Sequence, residues 1–416
     1  KASQELPKRK IKPRTVLLTS VAVTALVCAA RWFGLMQWTE LTAYDHLLRL
    51  RPGNEAPDER FLIVGVDEDS INLLQNKYEP TWGTLPDTAL DDLLKVLNQH
   101  QARLIGLDFI RDYAANPKVA DRMQQTQNLI AICKSSADER GEAVRGVSPP
   151  PEVPIERTGF ADLVLEDGNF ARRQLLMQPP DPDFCNTLDA FSLVMARQYL
   201  EAQGKSYTSP LKESGELEQM QFGNTAISRL AGKGSGYQNM DQLIGYQALI
   251  NFRAPSGDAR KFAKVVSLKD VLENRISAEV IRDRIVLIGY TANTHTQADI
   301  QNTPYGAMPG VMLHGQMTSQ LISTILDGRP LIWWWTQWGG SLWIFGWSLV
   351  GGVIVWQFSQ ASHLASASLA ALVLLYIACY GMLAYRSGWI PLVPPAIALV
   401  MTGTGVGYLT YRLRHP

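Results

Sequence analysis

The chain has 416 residues, and its 39 lysine and arginine residues balance its 39 aspartate and glutamate residues. A zero net charge excludes a general attraction to nucleic acid, because nucleic-acid-binding proteins carry a basic patch or stripe. Charged residues make up 19% of the chain, below the roughly 25% of soluble domains. The deficit lies in four nearly uncharged stretches, so the composition indicates a membrane protein whose length still allows two or three compact units.

The first uncharged stretch covers residues 15–36, and its only charged residue is Arg31. It has the roughly 20 residues that a helix needs to cross the hydrocarbon of a bilayer. Residues 1–14 before it form a basic linker, which predicts a cytoplasmic N-terminus by the positive-inside rule. A cleaved signal peptide is the alternative, although Arg31 and Trp32 occupy the place where cleavage would occur.

Residues 336–411 contain three further uncharged stretches, at 336–357, 364–385 and 389–411. They complete a set of four predicted transmembrane helices, which places residues 37–335 outside the membrane and the basic tail 412–416 inside. Gly403 and Gly407 have the spacing that lets helices pack closely in lipid, either within the chain or in a homodimer. The predicted location is the plasma (inner) membrane of a prokaryote.

The external part begins with apolar runs that alternate with segments of helical spacing. The apolar runs are Phe61–Val66, Ala102–Leu107 and Asn128–Cys133, and the helical segments are Asp87–Gln99 and 117–127. This alternation predicts an α/β fold with a mostly parallel sheet, βαβ units and right-handed crossovers. The later run Ile285–Ile288 is predicted to be another buried strand of the same sheet. Asp87 and Ser267 are predicted to cap the helices that follow them.

The turn Asp167-Gly168 predicts a β-hairpin inserted into this domain, because it lies between two apolar segments. Two of the four cysteines, Cys133 and Cys185, also fall in the external part, where a disulfide can persist. Sequence alone does not establish that they are close enough to bond. Cys28 and Cys379 lie in predicted spans and are interpreted as packing residues.

A candidate ligand site follows from the residues at the strand ends. Carboxyl ends of parallel strands meet at one edge of a sheet, where open α/β sheets bind ligands. Carboxylates and hydroxyls at such an edge can hold Ca²⁺ or Mg²⁺, or a cationic or polar ligand. The alternative is that these groups cap helices or form structural ion pairs with Arg111. The predicted edge residues are Asp67, Glu68, Asp108, Arg111, Asp112, Tyr290, Thr291 and Asp299.

Arg172 and Arg173, after the hairpin turn, are a second candidate, because paired arginines can clamp a carboxylate or phosphate. Nearby acids, Asp162 or Asp167, are their alternative partners. His295 and His314 fall near the predicted edge, but they have no metal-ligand spacing. The sequence therefore gives no catalytic residue, no metal site and no identifiable cofactor.

The glycine-rich stretch 232–236 fails the P-loop pattern, and Ser209-x-x-Lys212 lacks the companion motifs of a β-lactamase-like enzyme. Neither stretch therefore indicates a nucleotide site or an enzyme.

Seven segments in order, together with the four spans, resemble the CHASE domain of the second type, an extracellular sensory domain associated with cyclases and histidine kinases. The segments are RLRP at 49–52, FLIVGVDEDSI at 61–71, ARLIGLDFIRD at 102–112, GFADLVLEDGNFARRQLL at 159–176, LINFR at 249–253, RIVLIGYTA at 284–292 and TPYGAMPGVMLHGQ at 303–316. The sequence departs from the family pattern at two places. Only Trp82 remains of a Trp-Pro-rich turn, and an acidic residue comes late, as Asp299.

The resemblance implies a receptor whose external domain senses an unidentified ligand or envelope condition. The signal would pass through the four helices to a cytoplasmic effector, such as a cyclase or kinase, outside these residues. Two alternatives stay open. One is a membrane-anchored scaffold or oligomerisation module without a small ligand, and the other is an enzyme acting outside the membrane.

Overall fold

The computed structural model describes residues 12–78, 84–137, 142–212, 214–230, 236–238, 244–292 and 299–414. Contacts divide the chain into two units. Residues 12–51, 236–238 and 332–414 belong to a helical unit, and the remaining described residues belong to an α/β unit.

The helices of the described residues are numbered in chain order. They are α1 (Pro13–Trp32), α2 (Gln37–Arg49), α3 (Glu68–Lys77), α4 (Asp87–Gln99), α5 (Pro117–Gln125), α6 (Phe191–Glu201), α7 (Leu268–Leu272), α8 (Ala278–Ile281), α9 (Gly310–Leu326), α10 (Gln337–Gln357), α11 (Ala361–Arg386) and α12 (Val393–Arg414).

The strands are numbered in the same way. They are β1 (Phe61–Val66), β2 (Leu104–Leu107), β3 (Leu129–Cys133), β4 (Thr158–Phe160), β5 (Val164–Glu166), β6 (Phe170–Met177), β7 (Tyr207–Thr208), β8 (Met220–Phe222), β9 (Thr225–Ile227), β10 (Tyr246–Leu249), β11 (Lys264–Ser267), β12 (Ile285–Tyr290), β13 (Ile300–Thr303), β14 (Gly306–Pro309), β15 (Trp333–Trp334) and β16 (Gly388–Trp389).

A six-stranded parallel sheet forms the centre of the α/β unit, in the order β11-β1-β12-β2-β3-β4. β12 lies between β1 and β2, with Ile285 opposite both Phe61 and Leu104. The apolar runs become these strands because both faces of the sheet are covered, which suits continuous rather than alternating apolar sequence. The mostly parallel α/β fold predicted from the sequence is confirmed.

Helices cover the two faces of this sheet. α3, α4, α5 and α7 pack on the first face, against side chains such as Val64, Ile105 and Ile288. α6 and α9 pack on the second face, where Gly106 lies against Phe191 of α6 and Gly289 against Val311 of α9. Burying each of these large aliphatic side chains contributes about 1.5–3 kcal/mol, so the sheet is the rigid support for whatever lies at its edge.

The predicted hairpin is present as β5 and β6, which pair across Glu166 and Phe170. It belongs to a second, smaller sheet in the order β10-β6-β13-β14, with β5 paired on β6. A disulfide joins Cys133, the last residue of β3, to Cys185, and their Cα atoms lie 5.3 Å apart.

The helical unit contains four helices that are long and apolar enough to cross a membrane: α1, α10, α11 and residues 393–412 of α12. The predicted transmembrane helices are therefore confirmed. The first helix ends at Trp32 rather than at residue 36, because the chain turns at 33–36 before α2 begins.

Close packing joins α10 to α12 within this chain. A methyl group at Gly351 would lie 2.1 Å from the carbonyl oxygen of Leu399, so only glycine allows this approach. Gly403 and Gly407 also face α10, with Val355 the nearest side chain to both positions. The glycine pair therefore serves packing within the chain, which was one of the two interpretations of its spacing.

Candidate functional site

The carboxyl edge of the parallel sheet has the topology of a binding crevice. β1 continues into α3 and β2 leads to α5, both on the first face, whereas β12 leads to α9 on the second face. Adjacent strands whose connections leave on opposite faces create a crevice beyond their carboxyl ends. We call the second-face part of this crevice the mouth, and assign to it five groups that interact electrostatically through Lys134 or Asp299: Asp108, Lys134, Asp162, Asp299 and His314.

Asp108 is the central group of the mouth. It directly follows β2, and its backbone N–H donates to the carbonyl oxygen of Ile288 on β12 at 2.9 Å. Its side chain is half-buried, and within the described part of the chain it accepts no hydrogen bond. Burial raises the pKa of Asp108 well above its ordinary value, and the charge of Asp299 raises it further, while Lys134 acts in the opposite direction.

Asp299 approaches Asp108 from the N-terminus of α9. A methyl group at Gly310 would lie 1.9 Å from Oδ2 of Asp299, so the carboxylate occupies the space above this glycine. Gln301 donates to Oδ1 of Asp299 at 2.9 Å. The carboxylate of Asp299 therefore lies beside the N-terminus of α9, the end of a helix that attracts negative charge.

His314 lies in the second turn of α9 and is 4% exposed. Its ring stands edge-on to Phe191, with centroids 5.6 Å apart. Burial lowers the pKa of His314 to about 4. The negative charge of Asp299 raises this pKa, and the positive charge of Lys134 lowers it. The imidazole is therefore neutral at physiological pH and retains one nitrogen that can accept a hydrogen bond.

Lys134 and Asp162 complete the mouth. The sequence reasoning did not name Lys134 and named Asp162 only as an alternative partner of the hairpin arginines. Lys134 directly follows β3, and Asp162 comes two residues after β4. Asp162 accepts hydrogen bonds from the backbone N–H of Ser135 at 3.1 Å and from Gln178 at 3.3 Å. Burial raises the pKa of Asp162 despite these bonds and the nearby Lys134. The strand-end rule that found Asp108 would also have found Lys134.

Asp67 lies at the same edge, but its carboxylate caps the N-terminus of α3. Its carboxylate accepts from the backbone N–H of Ser70 at 2.9 Å and from the hydroxyl of Ser267 at 3.0 Å. Burial alone would raise the pKa of Asp67, but these hydrogen bonds outweigh burial and lower it. Glu68 is exposed in the first turn of α3.

The β12 end contributes Tyr290 and Thr291. Tyr290 packs edge-on against Phe109 on the first face, with centroids 5.2 Å apart, and burial raises its pKa. The Thr291 side chain lies above Gly65, where a methyl group would come within 2.4 Å of its hydroxyl. Thr291 therefore lies beside β1 at the same edge, whereas Tyr290 faces away from the mouth.

The predicted arginines have structural partners. Arg111 is fully buried, pairs with Asp87 and donates to the carbonyl oxygen of Leu85 at 3.2 Å. Asp112 lies 4.0 Å from an exposed arginine, Arg145.

Arg172 and Arg173 of the hairpin both pair with Glu166, and Arg173 also donates to Gln247 at 2.8 Å. The arginines therefore form ion pairs, as in their alternative interpretation, but the partner is Glu166 rather than Asp162 or Asp167. Trp82, His295 and the stretch 232–235 lie outside the described residues.

We expect Asp108→Asn to raise the melting temperature near pH 8, by roughly 2–4 °C for each kcal/mol of relieved charge burial. The raised pKa means that the folded protein binds this proton more tightly than the unfolded chain does. Wild-type stability therefore falls as pH rises from the ordinary carboxyl range toward the raised pKa. The gain in the variant should vanish below about pH 3.9, where the carboxyl is protonated in both states. Thermal unfolding across this pH range measures the effect.

The matched control is Asp121→Asn, because Asp121 is an exposed carboxylate of α5. It should change the melting temperature little at any pH. A gain for Asp108→Asn that persists at low pH would instead indicate a packing effect.

Comparison with known proteins agrees with the resemblance seen in the sequence. A family model described as the CHASE2 domain matches residues 22–353, which is most of the chain. No curated protein and no solved structure matches the chain. Within the described residues, no group of three or more histidine, cysteine, aspartate or glutamate side chains is arranged to hold a metal ion.

Proposed function

The chain belongs to the CHASE2 family, whose domains are sensory, and we propose on this basis that it is a transmembrane receptor. In this proposal the α/β unit binds a ligand at the mouth, and the transmembrane helices pass the bound state to a cytoplasmic effector. The observation that carries the proposal is Asp108, a half-buried acid at a sheet switch point with no hydrogen bond from the described residues.

Charge distribution supports an outward-facing α/β unit. Basic residues precede α1, and the positive-inside rule then leaves the long segment between α1 and α10 outside. The disulfide between Cys133 and Cys185 agrees with this side, because disulfides persist in oxidising compartments. The proposed location is the plasma membrane of a prokaryote.

The path of the chain supports a relay to the helices. Residues 236–238 come between β9 and β10 of the α/β unit in sequence, yet they pack in the helical unit. The backbone N–H of Gln238 donates to Gln37 of α2 at 2.9 Å, and Gln337 of α10 donates to the Gln238 side chain at 3.1 Å. A shift between two arrangements of this segment would bias the helices, and a ligand that binds the two arrangements differently would drive the shift.

A cysteine pair across α1 and α12 tests the relay. A methyl group at Gly405 would lie 3.3 Å from Cγ2 of Thr19, so Thr19→Cys with Gly405→Cys should form a disulfide readily. The free cysteines Cys28 and Cys379 are replaced first. In right-side-out vesicles, small cations, anions and neutral sugars are added outside, one class at a time. We expect at least one class to change the rate of disulfide formation several-fold.

Two further variants show where the effect originates. Asp108→Asn should abolish the response, and Asp121→Asn should keep it. A rate that no class of solute changes would contradict the receptor proposal, as would a response that appears only when the solute reaches the inner side.

A further inference from the structure

A cleft in the surface of the α/β unit lies beside the start of β4, whereas the mouth lies beyond the end of that strand. Its volume is about 400 Å³, within the range of roughly 300–1,000 Å³ that small-molecule sites occupy. Four segments of the unit line it: the turn before β4, the loop between β6 and α6, α6 itself and β7. None of the residues that line this cleft belongs to the mouth.

The loop between β6 and α6 forms one wall of the cleft and is held in a fixed shape. The disulfide joins Cys185 of this loop to the end of β3. The backbone N–H of Cys185 donates to the carbonyl oxygen of Asp181 at 2.8 Å, and that of Gln178 donates to the carbonyl oxygen of Leu188 at 3.1 Å. A wall that is ordered before the ligand arrives reduces the entropy cost of binding.

A buried ion pair in the cleft has hydrogen-bonding capacity to spare. Asp189 is 8% exposed, and its Oδ2 pairs with Nη1 of Arg197 on α6. Its other oxygen accepts no hydrogen bond from the described residues, and within the same part of the chain Arg197 donates only to Asp189. Buried polar groups are ordinarily hydrogen-bonded, and a guanidinium carries five N–H donors. The cleft therefore offers an acceptor and several donors side by side.

Apolar side chains line the cleft as well. Ile155 and Leu188 are 42% and 37% exposed, and the buried Met177 is also part of the lining. A ligand that covers these side chains removes apolar surface from water, which is favourable. The arrangement therefore suits a molecule with hydrogen-bonding groups on one side and an apolar surface on another.

The charges of the cleft favour a ligand without charged groups. Asp189 and the exposed Glu156 would repel an anion, and a cation would compete with Arg197 for Asp189. An amino-acid zwitterion would have to separate the ion pair, because each of its charges competes with one member. A hydroxyl group both donates and accepts, so two neighbouring hydroxyls can bond to the carboxylate and the guanidinium while the pair stays intact.

We propose that this cleft binds a small neutral sugar, a monosaccharide or disaccharide. One hydroxyl of the sugar donates to the second oxygen of Asp189, and its neighbour accepts from Arg197. The C–H face of the ring covers Leu188 and Ile155. The remaining uncharged polar groups of the lining, which can bond further hydroxyls, are Thr158, Asn186, Thr187 and Ser209. This site is separate from the mouth and does not depend on the proposed relay.

Titration calorimetry on the purified full-length chain tests the assignment, with glucose, N-acetylglucosamine and maltose as probes. Acetate, ethanolamine and glycine are measured in the same way. We expect saturable binding of at least one sugar and of none of the three charged solutes. Asp189→Asn should weaken sugar binding about tenfold, because a hydrogen bond to a charged group is lost. Leu188→Ala should weaken it about threefold, because the apolar contact becomes smaller.

Two controls locate the binding. Glu201→Gln, at the exposed end of α6, and Asp108→Asn, in the mouth, should leave sugar affinity unchanged. Leu188 is partly exposed, so Leu188→Ala keeps the test decisive if Asp189→Asn does not fold.

Three outcomes would overturn the assignment. The first is that no sugar binds saturably, and the second is that glycine binds and the sugars do not. The third is sugar binding that Asp108→Asn weakens and Leu188→Ala leaves unchanged, which would place the sugar in the mouth. None of these outcomes decides the receptor proposal, because the disulfide rate between α1 and α12 measures the relay separately.

Discussion

Replacing Cys133 and Cys185 with alanine should lower the free energy of unfolding of the α/β unit by about 4 kcal/mol. The disulfide closes a loop with a sequence separation of 52 residues, and chain-entropy arithmetic for a loop of this length gives that value. Both side chains are almost fully buried, so alanine also removes apolar contacts. Pulse proteolysis in increasing urea on the full-length protein measures the change.

Cys28→Ala is the matched control, because Cys28 is a free cysteine of α1. It should leave the urea midpoint of the α/β unit unchanged. Reducing agent should lower the wild-type midpoint toward that of the double variant, which also lacks the buried sulfur contacts, and should have no effect on the variant. Equal midpoints for oxidised and reduced wild type would contradict the prediction.

The disulfide also holds in place the end of β3, which carries Lys134 of the mouth. Lys134 follows Cys133 directly, and Ser136 donates to Asp181 near Cys185 through its backbone N–H at 2.7 Å. Loss of the disulfide frees the loop that holds the end of β3. Ligand binding at the mouth should therefore weaken in the double variant even under conditions in which the protein stays folded.

Sequence periodicity predicted the parallel sheet because each buried strand is a continuous apolar run with a clear end. The strand-end rule also located Asp67, Asp108 and Thr291 at one edge, where the register of β1, β12 and β2 places them. The rule does not say which of these groups a helix will use as a cap. Asp67 serves α3, whereas Asp108, after a strand with no helix at its end, remains available.

Contacts distant in sequence account for what was not predicted. Asp87 and Ser267 were both predicted to cap the following helix by accepting a hydrogen bond from its backbone N–H groups, but neither side chain does so. Asp87 pairs with Arg111 instead, and the Ser267 hydroxyl donates to Asp67 at 3.0 Å. Each partner is brought near only by the packed sheet. The same holds for Asp162 and Lys134, whose significance depends on β4 lying beside β3.

A buried glutamate joins α2 to α12 at one end of the helical bundle. Glu40 is 3% exposed, and its two carboxylate oxygens accept the backbone N–H groups of Leu392 at 3.0 Å and Val393 at 2.9 Å. Pro394 and Pro395 follow and have no N–H. Glu40 therefore accepts the hydrogen bonds of the backbone N–H groups that do exist at the start of α12. Trp389 also bonds to Glu40, and Arg31 of α1 attracts it.

The same junction includes the segment that arrives from the α/β unit. Trp389 stacks on Tyr44 of α2 with ring centroids 4.3 Å apart, and Tyr237 stands edge-on to Trp389 at 5.9 Å. Residues 236–238, α2 and the start of α12 therefore meet around one carboxylate. A displacement of the segment would reach α12 through Glu40, which makes Glu40 the positioning residue of the proposed relay.

Glu40→Ala should therefore destabilise the helical unit by about 3–5 kcal/mol, the usual cost of removing one partner from a buried ionic network. Two N–H groups at the start of α12 would lose their acceptor, and Arg31 would lose the negative charge that attracts it. Glu40→Gln keeps one acceptor oxygen and should lose about half as much stability. Thr42→Ala, at an exposed site on α2, is the control and should change the stability little. Thermal unfolding in lipid measures the stability. Under conditions in which Glu40→Gln is folded, the disulfide rate of Thr19→Cys with Gly405→Cys should no longer respond to solutes added outside. A full response would show that the signal reaches α12 by another route.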